Sequence, residues 1–163
     1  MNKPDEIGQI NGLTYVINHS EMGHRCGYVG IHKSHPLHGL NYSDPSPLLV
    51  LADDEEIGER GIIPIICRKK DNVGESPDCF FNVHGGITYS GGGEYPLGEE
   101  NDLWWFGFDC AHCDDAPDPE LMSPEYQKIR TSWFEGDGHI WTRDEVREQC
   151  VKLAAQLAVV KGN

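Results

Sequence analysis

Three stretches of this 163-residue chain carry side chains that do chemistry, at spacings that could bring them together. The first is Val83-His84-Gly85-Gly86-Ile87-Thr88. Two glycines after a histidine let backbone N–H groups approach a ligand closely, so Gly85 and Gly86 could offer donors to an anionic group beside the His84 imidazole. A β-bulge or tight hairpin with an incidental histidine would use the same residues. The second stretch is Phe108-Asp109-Cys110-Ala111-His112-Cys113-Asp114-Asp115. Asp109 and His112 could share a metal, or Asp109 could orient the imidazole as a base. Cys110 and Cys113 form a Cys-x-x-Cys pair of the kind that ligates zinc, but the usual second pair is missing. The third is a loop with His32, His35 and His38, which could join a metal site or be ordinary loop residues. Catalytic work therefore falls to His84, Asp109 and His112, with a divalent metal as an open option. The chain has no phosphate-binding P-loop, no Gly-x-Ser-x-Gly elbow and no His-Glu-x-x-His pair.

These groups need rigid supports. Residues 13–17 and 26–31 are short β-rich runs, the second ending just before the histidine loop. Residues 79–84 read as a strand that resumes at 87–89 and stops at a turn over 90–93. Residues 103–109 are almost continuously apolar and aromatic, the pattern of a strand covered on both faces. Polar groups delivered at its end, Asp109 to Asp115, would be held by the core. Tyr28, Tyr89, Trp104, Trp105 and Phe106 could stack a base or ring, although most should be core; Tyr89 and Trp105 are taken as ligand contacts. Ser123-Pro124 opens a short helix towards Arg130. Thr142-Arg143-Asp144-Glu145 is a capping box, and the helix it starts runs to about Val160. Its apolar positions Val146, Cys150, Leu153, Ala154 and Leu157 share one face, which should pack on the sheet. Residues 43–78 look like a loop-rich insertion, with 62–67 at most an edge strand because Pro64 interrupts it. The expectation is one α+β domain: a mostly antiparallel or mixed sheet packed by a C-terminal helix.

Composition narrows the partners. The chain has 13 basic and 27 acidic residues, a formal charge of −14, and no basic patch that would override it against duplex nucleic acid. There is no apolar run of membrane-spanning length, and the N-terminus does not read as a signal peptide, which places the protein in the cytoplasm. Cys67, Cys79 and Cys150 lie among apolar residues and are expected as buried reduced thiols.

Four motifs taken together carry a resemblance. Cys26-Gly27-Tyr28-Val29-Gly30, His35-Pro36-Leu37-His38-Gly39, His84-Gly85-Gly86-Ile87-Thr88-Tyr89 and Trp104-Trp105-Phe106-Gly107-Phe108-Asp109-Cys110-Ala111-His112 resemble a family of small uncharacterised proteins of phages and prophage-bearing bacteria. The family has no established activity to carry over. The resemblance implies a phage or prophage context and singles out His35, His84, Thr88, Asp109, His112 and Asp115. It does not require a cysteine at Cys113, and it leaves 43–78 unmatched.

Two histidines and an aspartate after strand ends, beside a glycine-rich turn, point to a hydrolase acting on a small phosphorylated or nucleotide-like substrate. The alternatives are a binding protein that sequesters a nucleotide immune signal, and an acidic inhibitor that docks on a basic host protein.

Overall fold

The computed structural model describes residues 4–51, 74–129 and 138–162. Within them, five strands form one wholly antiparallel sheet: β1 (Glu6–Ile10), β2 (Leu13–His19), β3 (Arg25–Ile31), β4 (Tyr89–Gly91) and β5 (Trp104–Asp109), in the order β1-β2-β3-β5-β4. Three helices join it among the described residues: α1 (Pro77–Phe80), α2 (Pro124–Ile129) and α3 (Arg143–Val159). The chain is thus α+β, with its C-terminal helix packed on β3 and β2. No helix among the described residues is long and apolar enough to cross a membrane.

Side chains alternate across the strands and sort into two clusters. Tyr15 and Ile17 of β2, Val29 and Ile31 of β3, and Phe106 and Phe108 of β5 face α3, where they meet Val146, Cys150, Leu153, Ala154 and Leu157. The helix therefore buries the face that its periodicity assigned. A β-carbon at Gly27 would lie 2.8 Å from Cys150 Sγ and 2.4 Å from the Phe108 ring, so the glycine lets the helix and that ring close on the sheet. On the opposite face, Val16, Tyr28 and Trp105 form a smaller cluster with Cys26, Tyr89, Tyr95, Leu97 and Leu103 around them. With Trp105 and Phe106 fully buried on opposite faces, β5 is covered on both sides. Each large buried apolar side chain contributes roughly 1.5–3 kcal/mol. The capping box at Thr142 and Glu145 is complete in both directions.

The structure departs from the sequence reading in three places. Residues 79–84 are not a strand: Cys79 and Phe80 end α1, the Phe81 N–H closes the helix onto the Pro77 carbonyl, and Asn82 and His84 pair with side chains instead of a neighbouring strand. Gln156 accepts from the Asn82 N–H and donates to its carbonyl, and Gln149 accepts from the His84 N–H. Phe81 and Val83 still point into the core, so the apolar alternation that suggested a strand is real while the ladder is absent. The strand expected at 87–89 is shifted: β4 begins only at Tyr89, leaving Ile87 and Thr88 before it, and residues 90–91, expected in a turn, pair in it with Phe106 and Trp105. β1 was not anticipated, although Asn11-Gly12, both at positive φ, is the turn chemistry of a two-residue hairpin. The edge strand expected at 62–67, the thiol of Cys67 and most of the 43–78 insertion lie outside the described residues.

Candidate functional site

β5 ends at Asp109, and the chain is held in line for one more residue. The Cys110 N–H donates to the Arg25 carbonyl, and the His24 ring Nδ1 bonds the Cys110 carbonyl at 2.7 Å. Cys110 turns into the core, 2% exposed, and burial pushes its thiol well above the ordinary range. Cys113 is exposed. The two cysteines therefore do not form the zinc pair that their spacing allowed, since one thiol is sealed among apolar groups and the other faces solvent.

After this point the chain turns back on itself at Asp115, which is the centre of the site. Its side chain is 3% exposed and accepts three hydrogen bonds. Oδ2 is 2.7 Å from His84 Nε2 and accepts from the His112 N–H at 2.8 Å. Oδ1 accepts from the Trp141 indole N–H at 2.7 Å. A second imidazole nitrogen, His112 Nδ1, lies 3.4 Å from the same Oδ2. Burial pushes the Asp115 carboxyl up, but the His84, His112 and Trp141 donors together hold it below its usual value, so it is ionised at neutral pH.

Each member of this group has a distinct support. His84 is anchored through its main chain by Gln149 of α3, and its ring lies on the Trp141 ring with centroids 4.1 Å apart. Trp141 is fixed at its carbonyl by Arg25, which also pairs with Asp118. His112 packs edge-on to His84 at 5.1 Å and rests on Gly85. A β-carbon at Gly85 would fall 1.9 Å from the His112 ring, and the backbone there has φ +68, so the glycine serves this site by shape. The Gly86 N–H already donates to the Val83 carbonyl. The glycine turn thus makes room for an imidazole, and of the two N–H groups that could have met an anion, that of Gly86 is already taken.

The other singled-out residues lie elsewhere. Asp109 accepts from the Thr88 hydroxyl at 2.8 Å and from the Ala111 N–H at 3.1 Å, and no hydrogen bond or ion pair among the described residues ties it to either histidine. His35 accepts from the Leu37 N–H and its Nε2 bonds the Leu157 carbonyl at 2.9 Å, which satisfies one of the last carbonyls of α3. That end of the helix is roughly 22 Å along its axis from Thr142. Trp105 is fully buried on the opposite face, and Tyr89 packs edge-on there against Tyr28 and Tyr95. Trp141 and Gln149 were missed. Trp141 carries no spacing signal, because only the fold brings the residue before the α3 cap onto His84.

An open cavity of about 510 Å³ is lined by Asp5, Arg25, Asp118, Ile140, Thr142 and Arg143 among others. Arg25 is already paired with Asp118, and Arg143 lies 3.7 Å from Glu6, so the cavity is no ready-made anion pocket. Comparison with protein-family models, with curated proteins and with solved structures gives no match to this chain.

Proposed function

We propose that the protein is a hydrolase of the cytoplasm (of the host cell, in the phage setting) acting on a small phosphorylated or nucleotide-like substrate at the His84–His112–Asp115 cluster. The observation that carries this reading is the convergence of two part-exposed imidazoles on one buried, ionised carboxylate oxygen. Such a group deprotonates water: the water oxygen bonds to phosphorus, the bond to the leaving oxygen breaks, and that oxygen takes up a proton. Asp115 is set in place by Trp141 and the His112 backbone, so the imidazoles need no reorganisation when charge develops. The overall charge of −14 disfavours duplex nucleic acid and counts modestly against any polyanionic ligand, so the reading rests on the local cluster and not on the global field.

The test incubates the protein with a panel of nucleotides and cyclic nucleotide messengers and chromatographs them before and after heat denaturation. A new product peak that disappears with His84→Ala and with Asp115→Asn is the expected result. A ligand that leaves solution and returns unchanged on heating would replace the hydrolase with a sequestering protein. No change in any compound would remove both.

A further inference from the structure

We propose that His84 Nε2, His112 Nδ1 and Asp115 Oδ2 bind one divalent transition metal ion of the zinc class. The inference deepens the hydrolase reading at the same cluster, but it concerns binding and is tested without turnover.

Three observations carry it. The three ligand atoms lie within 4.8 Å of one another, with Oδ2 at 2.7 Å from one nitrogen and 3.4 Å from the other. Ligands of a tetrahedral zinc ion are about 3.4 Å apart, so adjustments of ångström scale or less would bring all three into its shell. Second, His112 Nδ1 is buried and has no hydrogen-bond partner. A buried polar nitrogen left unsatisfied is costly. Here it faces a carboxylate oxygen that already takes His84 and a backbone N–H. If Nδ1 carries no proton, its lone pair points at negative charge; if it carries one, three donors crowd a single oxygen. A cation between the three atoms removes either conflict. Third, the carboxylate is fixed from behind by the Trp141 indole and the His112 N–H, the outer contacts that orient a ligating carboxylate.

The donor set narrows the metal. Two imidazole nitrogens and one carboxylate oxygen suit zinc and its neighbours, whereas magnesium and calcium favour oxygen throughout. Both histidine side chains keep some exposure, 24% and 31%, so the ion would retain positions open to water. Three protein ligands with an open position is the arrangement of catalytic zinc, and there the bound water ionises near neutral pH. A dication would also reverse the local negative charge that an anionic substrate meets.

The experiment titrates zinc ion alone into chelator-dialysed protein, followed by calorimetry, with Cys113→Ser as the background because that exposed thiol is an independent zinc ligand. One equivalent should bind, and His112→Ala and Asp115→Asn should each weaken it at least about 100-fold while thermal melts stay cooperative. In parallel, cobalt(II) added to the same Cys113→Ser chain should broaden the Trp141 indole N–H resonance and spare that of Trp105. Zinc binding that vanishes with Cys113→Ser, that survives both site variants, or that is absent would overturn the proposal. So would cobalt broadening that ignores Trp141. A positive zinc result with no hydrolysis would retire the enzyme reading and leave the metal site standing.

Discussion

Asp109 and Asp115 leave the same strand end within a few residues of each other, yet their surroundings assign them different work. Asp109 is partly open to solvent and is bonded by the Thr88 hydroxyl and the Ala111 N–H, so it closes a turn and ties the 83–88 segment to β5. Asp115 is nearly sealed, and its partners are an imidazole, an indole and a backbone N–H, with a second imidazole against it. A carboxylate satisfied by a hydroxyl and an amide in a wet turn gains little from its charge. One held ionised behind two histidines presents that charge to whatever enters. Solvent access and partner chemistry separate the two roles, and residue type does not.

The largest expected effect breaks the pair apart directly. Asp115→Asn should lower both zinc affinity and turnover by about 100-fold or more, whereas Asp109→Asn should change either by less than about 3-fold; parallel titrations of the two variants check this. Trp141→Phe keeps the ring on His84 but removes the donor to Asp115 Oδ1, and should cost about 10- to 100-fold in zinc affinity by the same titration. Gly85→Ala puts a methyl group into the His112 ring at a left-handed backbone position, and should destabilise the fold by about 1–2 kcal/mol in urea as well as displacing the imidazole. Thr88→Val deletes the hydroxyl that serves Asp109; a loss of about 1 kcal/mol in the same urea assay with unchanged zinc binding would confirm that carboxylate as a turn residue.

A third carboxylate, Glu6, sharpens the contrast through pH. It is bidentate with Arg147, Nε to Oε1 at 2.5 Å and Nη2 to Oε2 at 2.6 Å, and the Tyr15 hydroxyl also donates to it. The Arg147 hydrogen bonds lead in lowering its pKa from 4.5 to about 2, against an opposing push from burial. A depressed folded value means the stabilisation is complete above about 4.5 and is lost as the pH falls towards 2. Thermal melts across that window should therefore show a steeper acid limb for the unmutated chain than for Glu6→Gln, while zinc binding at neutral pH is the same in both.

How much of this was legible beforehand differs from element to element. The capped helix α3 and its buried face could be read directly, because a Thr-x-x-Glu box and a repeat near 3.6 residues are local facts about consecutive residues. β2, β3 and β5 were legible for the same reason. Residues 81–84 were misread because their apolar alternation is also local, whereas the Gln149 and Gln156 side chains that take their hydrogen bonds lie 65 and 74 positions away along the chain. Within the site, His84 and His112 stood out by type and by their place after apolar runs. Asp115 came forward through the resemblance alone, and the residue-by-residue reading paired the histidines with Asp109.

The sequence by itself determined which residues could carry a reaction, the strand that supports them and the helix that covers the sheet, since each depends on propensity and periodicity over neighbouring positions. Only the tertiary structure decided which carboxylate the imidazoles share, that Trp141 backs it, that Gly85 makes room for His112, and that His35, Tyr89 and Trp105 lie away from that cluster. Those outcomes depend on which distant segments meet at the end of β5. The physical reason is that a carboxylate's role follows from its burial and its donors, and both are properties of the assembled chain.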